Sequence, residues 1–170
     1  SLRRQRQMCI RDRYYTAHIG KWHLGITNGM DPQSQGFVDS LSLAGSSYLS
    51  ENDPEVVNAK FDTSIDKMVW STSQYAARFN GSKPFAPDKY VTDYYTDEAL
   101  KVIENNRNQP FFLYLSHWAI HNPLQALRAD VEHMHHMSGH NLQVYSGMIR
   151  ALDRSVGTVS YTHLTLPTKA

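Results

Sequence analysis

Lys21 and His23 stand two residues apart in the stretch GKWHLG, residues 20–25, with Trp22 between them and a glycine at each end. In an extended chain, residues two apart project to one side. Lys21 and His23 then aim at a common point, and Trp22 turns away as a packing anchor. Gly20 and Gly25 let the backbone turn or come close to a ligand. Two nitrogen groups converging in this way suit an anionic substrate whose negative charge grows in the transition state. A surface turn around a buried tryptophan accounts for the same six residues, so the motif alone leaves both readings open.

His121 is the second candidate. It follows the apolar run FFLYL (111–115) in the loop SHWAIHNPLQAL (116–127). Ligands of open α/β sheets bind beyond the carboxyl ends of the strands, and a histidine there is placed for proton transfer. A loop histidine capping a turn before Pro123 is the bland alternative. His117, nearer the strand, reads as a packed core histidine. The cluster HMHH (133–136) with His140 lacks a zinc-site spacing, and no cysteine supports it. Asp93, Asp97 and Glu98 suit the negative charge that a helix N-terminus favours. Asn80-Gly81-Ser82 is a glycosylation acceptor only in a eukaryotic secreted protein. There is no Gly-rich phosphate loop and no defensible Ser–His–Asp arrangement.

These side chains need a scaffold. Residues 14–19, YYTAHI, are aromatic and β-branched enough for a strand running straight into GKWHLG. Residues 28–90 are rich in Gly, Ser, Asn, Asp and Pro without a clear period, so they read as long excursions with short pieces of structure. Tyr95, Ala99, Val102, Ile103 and Asn106 share one face of a helix, with Thr92 or Asp93 placed to cap it. The continuous apolar run FFLYL suits a strand covered on both faces. Asn141 is placed to cap a second helix, whose stripe is Tyr145, Met148, Ile149, Leu152 and Val156. Helix, buried strand, loop, helix is the order of an α/β fold.

Composition bounds the rest. Hydrophobic residues make up 41% and charged residues 19% of the 170, which is globular rather than disordered. No apolar run approaches the roughly 18 residues of a membrane span. Both ends look foreign: RRQRQMCIRDR (3–13) and VSYTHLTLPTKA (159–170) are what one short DNA adapter, inserted in opposite orientations, encodes when translated. Residues 1–13 and 159–170 are therefore expected to be adapter-derived and are set aside. Removing Arg3, Arg4, Arg6, Arg11, Arg13 and Lys169, and the acid Asp12, leaves 11 bases against 15 acids, a net charge of −4. The basic N-terminus is then no nucleic-acid arm, and no nucleic-acid partner is expected. Cys9, the single cysteine, leaves with the adapter, so the remainder carries no thiol.

Residues 14–157 resemble the sulfatases of the alkaline-phosphatase superfamily, arylsulfatase-like members above all. The match rests on YYTAHIGKWHLG, the GF of QSQGFVD, TDEALKVIENN, PFFLYLSHWAIHNPLQA and VYSGMIRALDRSVG, in that order along the chain. The resemblance implies a mixed sheet flanked by helices and hydrolysis of sulfate esters. It implies that Lys21 touches the sulfate and the catalytic hydroxyl. It likewise implies that His23 assists sulfate release, and that His121 binds a sulfate oxygen on the leaving-group side.

The family nucleophile is a formylglycine made from Cys or Ser in a C/S-x-P-x-R motif, and a divalent cation, usually calcium, polarises the sulfate. That motif, the early Asp pair and the later Asp-Asn ligands are not found in residues 14–158. Residues 14–158 are therefore expected to be a partial catalytic domain, inactive by itself, with no metal ligands of its own. Its parent would need a formylglycine-generating or sulfatase-maturing enzyme, act on a sulfated small molecule or glycan, and be periplasmic or secreted. Two alternatives stay open: a sulfatase-like pseudoenzyme that binds sulfated glycans, and a related phosphodiesterase or phosphonate monoester hydrolase.

Overall fold

The structure, a computed structural model, describes residues 14–165. Of the expected adapter segments 1–13 and 159–170, residues 1–13 and 166–170 lie outside the described residues. Residues 159–165 continue the last helix.

Four strands form the main sheet in the order β4-β2-β1-β5. Strand β1 (Tyr15–Gly20) lies at its centre, parallel to β2 (Asp39–Leu43) and to β5 (Phe111–Ser116). Strand β4 (Ala77–Phe79) joins β2 antiparallel. A separate antiparallel pair is made by β3 (Val56–Ala59) and β6 (Leu124–Leu127). Helix α1 (Ser64–Thr72) starts at Thr63, whose side chain accepts the Asp66 amide, and it buries Trp70. Helices α2 (Val91–Asn105), α3 (Arg128–Glu132) and α4 (His140–Thr165) complete the mixed α/β chain. Helix α2 packs on β1, β5 and α4, while α4 also covers β3 and β6. The core lies between these layers, around Tyr48, Tyr90, Tyr95, Val144 and Met148.

Helix α2 buries Tyr95, Ala99 and Ile103, the face its spacing predicts. Its cap differs. The N-cap is Tyr90, without a side-chain cap bond, so Thr92 and Asp93 fall inside the first turn. Asp93 instead meets Arg154, which forks onto Asp130 at 2.6 and 3.0 Å and ties α4 to α3. A bidentate guanidinium–carboxylate pair fixes orientation as well as distance.

The stripe on α4 is displaced from the expected one. Val144, Met148, Ala151 and Ser155 are buried, whereas Ile149 and Val156 are exposed. Helix α4 also begins at His140, so Asn141 lies inside it rather than capping it. The reason is close packing. A Cβ on Gly147 would sit 3.1 Å from Ala126 Cβ and 3.1 Å from Val131 Cγ2. The face that seats against β6 and α3 turns on Gly147, so of the expected stripe only Met148 is fully buried, beside Val144, Ala151 and Ser155.

Strand β5 also departs from expectation. It is no more than half-buried, and Tyr114 is exposed. Its two faces do carry apolar contacts: Phe112 and Tyr114 stack on Phe37, and Leu113 and Leu115 join the core cluster. As an edge strand among the described residues it has one lateral neighbour, β1, so both faces stay partly open.

Candidate functional site

The site forms where β1 and β5 end side by side. Register pairs Gly20 with Ser116. A Cβ on Gly20, whose φ is +114°, would lie 1.9 Å from the Ser116 carbonyl oxygen, so only glycine fits. That contact lets the Lys21 amide donate to the Ser116 carbonyl at 2.7 Å, while the Ser116 hydroxyl donates to the Lys21 carbonyl at 2.8 Å. The Lys21 backbone is thereby pinned from both sides.

His18 lies beneath this knot, fully buried. Its Nε2 is 3.1 Å from Ser116 Oγ, and its Nδ1 is 3.1 Å from Ser40 Oγ. Proton counting gives the tautomer. The Ser116 proton goes to the Lys21 carbonyl, so Ser116 Oγ accepts from His18 Nε2–H, and Nδ1 accepts from Ser40. Ser42 then donates to Ser40 at 2.8 Å. Burial holds the His18 pKa down at about 4, and the ring is neutral.

Trp118 gathers the catalytic candidates. Its ring is buried, and its indole N–H donates to the Ser46 carbonyl at 2.8 Å. The Lys21 ammonium stands 4.7 Å from the Trp118 ring centroid. The His121 ring stacks on the same indole at 3.9 Å and 25°. Lys21, just past the end of β1, and His121, in the loop after β5, thus both contact one indole. His121 Nδ1–H donates to the Asn122 carbonyl at 2.8 Å, which leaves the lone pair of the neutral ring on Nε2.

The loop is held from below. The Tyr48 hydroxyl is shared between the carbonyls of Trp118 at 3.1 Å and His121 at 2.9 Å. Gln125, fully buried, accepts the amides of Tyr48 and Leu49 through Oε1 and donates to Asn58.

His23 is exposed, and among the described residues no side-chain hydrogen bond or ring contact ties it to Lys21 or His121. The extended run ends at Gly20, so the alternation that would aim Lys21 and His23 together does not continue. Trp22 does anchor the turn, donating to the Met30 carbonyl at 2.8 Å and packing on His18 and Phe37. His117 is packed between elements: Nε2 is 3.1 Å from Ser155 Oγ, and burial lowers its pKa. His133 bonds the Ala129 carbonyl and His140 the Asn58 carbonyl. The Asn80 amide is committed as well. Its Nδ2 donates to Asp39, and its Oδ1 accepts from Gln33 and from the Ser40 amide.

A family model, Sulfatase, matches residues 8–161. The chain belongs to the sulfatase family. Among curated sulfatases it is 28% identical to arylsulfatase J of Mus musculus over 86% of this chain and 23% of that protein. It is 31% identical to the arylsulfatase of Klebsiella aerogenes over 66% of this chain and 23% of that one. A crystal structure of Ps i-CgsB in complex with k-i-k-neocarrahexaose superposes with a TM-score of 0.73 at 26% identity, covering 92% of this chain and 35% of that chain. The PsFucS1 sulfatase from Pseudoalteromonas sp. shares the fold at a TM-score of 0.59 and 21% identity, over 93% of this chain and 34% of that chain. This sulfatase chain therefore spans about a quarter of its curated relatives' length. The sheet flanked by helices expected from the sequence is the sulfatase fold.

Sequence reasoning passed over Trp118, Tyr48 and His18. A signal for His18 existed: Thr16, His18 and Gly20 alternate along β1, marking one non-apolar side. Nothing local marked Tyr48, which reaches its partners across 70 and 73 residues of sequence.

Proposed function

We propose that this chain is the central part of a hydrolase that cleaves sulfate esters, with Lys21 and His121 facing the sulfuryl group. The observation that carries this is their shared seat on Trp118. In this reading the Lys21 ammonium balances charge on the non-bridging oxygens as the ester bond breaks. His121, with Nε2 unencumbered, hydrogen-bonds an oxygen on the leaving-group side. Trp118 holds both at a fixed separation and excludes water from one face. His23 completes the set by assisting sulfate release, and substrate has to draw it toward the other two.

Two groups that the family implies are assigned elsewhere in the protein. Among the described residues no three His, Cys, Asp or Glu side chains group as a metal site would require. We place the calcium ligands and the formylglycine, matured from Cys or Ser by a dedicated enzyme, outside residues 14–158. When bound, these groups supply the Lewis acid and the nucleophile. The substrate proposed is a sulfated small molecule or glycan, and the neocarrahexaose complex of the structural relative favours the glycan. No helix among the described residues is long and apolar enough to cross a membrane.

The test begins with the parent gene, read across both ends of the segment. A C/S-x-P-x-R motif before Tyr14 and an Asp-Asn pair after Val156 are expected. Aryl-sulfate hydrolysis by the full-length product should then fall about 100-fold or more in Lys21→Ala and in His121→Ala. A full-length protein without that motif, or one that turns over phosphodiesters only, overturns the proposal.

A further inference from the structure

Beside the site, a second feature has no role in the chemistry above. An open cleft of about 730 Å³ runs past the end of β2, lined by Ser40, Ser42, Asp31, Gln33, Asn80 and Arg78 among others. Arg78 is unusual within it. Its Nε is buried and without a hydrogen-bond partner, and no carboxylate pairs with its guanidinium among the described residues. Every other arginine in residues 14–165 has a carboxylate or carbonyl partner. A half-buried, unpaired guanidinium is costly unless an anion completes it.

Register fixes where Arg78 lies relative to the site. Gly20 pairs with Ser42 on β2, and Ser42 pairs with Arg78 on β4. Three neighbouring strands at the usual spacing put the Arg78 backbone about 10 Å from that of Gly20. The cleft thus opens at the same end of the sheet as Lys21, beyond β2 from β1. Its lining suits a polyhydroxylated ligand as well as an anionic one. The Gln33 carboxamide oxygen and the Ser42 lone pairs remain open to hydroxyl donors. Asp31 is the one carboxylate in the lining, and both its oxygens already accept from Ser34.

We infer that this cleft is a binding subsite for the neighbouring sugar of an anionic oligosaccharide, with Arg78 pairing that sugar's own sulfate or carboxylate group. The inference rests on the sulfate-ester reading of the adjoining site. It makes the substrate a multiply charged glycan rather than a simple aryl sulfate, because a second anion one residue along the chain is what Arg78 is placed to meet.

The experiment is a binding titration of the full 170-residue chain by NMR or calorimetry, at low and moderate salt. Three probes are used: galactose 4-sulfate, a disaccharide carrying one sulfate on each ring, and the same disaccharide with a uronate as its second anion. Arg78→Ala is expected to weaken the doubly charged disaccharides about tenfold and leave galactose 4-sulfate within about twofold. Arg78→Lys, which keeps the charge and the stem, should fall between, and added salt should narrow the difference. Preference between the two disaccharides tells sulfate from carboxylate. If Arg78→Ala weakens no probe while Lys21→Ala weakens all three, the subsite is overturned and the adjoining site stands. If Lys21→Ala changes nothing, the sulfate-ester reading of that site falls, whatever Arg78 does. A wild-type chain that binds none of the probes overturns the subsite outright. Melting curves of each variant separate lost binding from lost fold.

Discussion

His18 makes the folded chain sensitive to mild acid. Its ring is buried, accepts from Ser40 and donates to Ser116, and its pKa is about 4 against an ordinary 6.5. A histidine with a depressed folded pKa binds its proton more readily unfolded. Between pH 6.5 and pH 4 the unfolded state is therefore the better proton acceptor, and stability must fall as pH falls through that window. Each pH unit across it costs about 1.4 kcal/mol, so the full window is worth about 3 kcal/mol, of which about 2 kcal/mol is lost by pH 5. His117, also depressed by burial, adds in the same direction. Two assays check this. Urea unfolding between pH 7 and pH 5, above the ordinary carboxylate range, gives the slope. The imidazole C2 proton shift of His18, followed while the chain is folded, gives the titration itself. His18→Gln should be less stable at pH 7 and clearly flatter with pH. A C2 proton that titrates near 6.5 in the folded chain, or a glutamine variant with an unchanged slope, refutes the reasoning.

Four further outcomes follow from the packing. Gly20→Ala should cost well over 1 kcal/mol in urea unfolding because its Cβ meets the Ser116 carbonyl, whereas Gly25→Ala, also at positive φ but with nothing within 4 Å, should cost only its backbone strain of about 1–2 kcal/mol or less. In α4, Gly157→Ala faces open space and should gain up to about 1 kcal/mol, while Gly147→Ala should lose that gain against Ala126 and Val131; equal melting shifts would count against the close approach. Tyr48→Phe strips a donor from two carbonyls and should cost about 1–3 kcal/mol, with faster amide exchange at His121, whose N–H bonds the Trp118 carbonyl. Trp118→Ala should cost about 3–5 kcal/mol and release His121, seen as loss of the ring-current shift on its imidazole protons; an unmoved His121 signal would deny the stack.

The readable parts of this chain were those whose physics is local. Strand β1, helix α2 and the loop after β5 follow from alternation, helical spacing and breaker residues, and GKWHLG and IHNPLQA follow as motifs carried on them. What misled was equally physical. The buried face of α4 is made of Val144, Met148, Ala151 and Ser155; Met148 was in the expected stripe, whereas Ala151 and Ser155 carry little hydropathic signature until a partner surface is known. The strand FFLYL reads as buried from its composition, yet a sheet edge is a property of the pairing order and not of the strand.

The amino-acid sequence by itself determined the family, the places of β1, β5, α2 and α4, and two candidate groups that touch one indole, because residue type and short-range spacing suffice for those; β2, β3, α1 and β4, inside residues 28–90, it did not mark. Tertiary structure alone decided that Trp118 is the platform joining Lys21 to His121 and that Tyr48 and Gln125 hold that loop. It alone decided that His23 is exposed and that, among the described residues, no carboxylate pairs with Arg78. Each of these is a contact, or the lack of one, between residues far apart along the chain, and folding is what brings such residues within bonding distance.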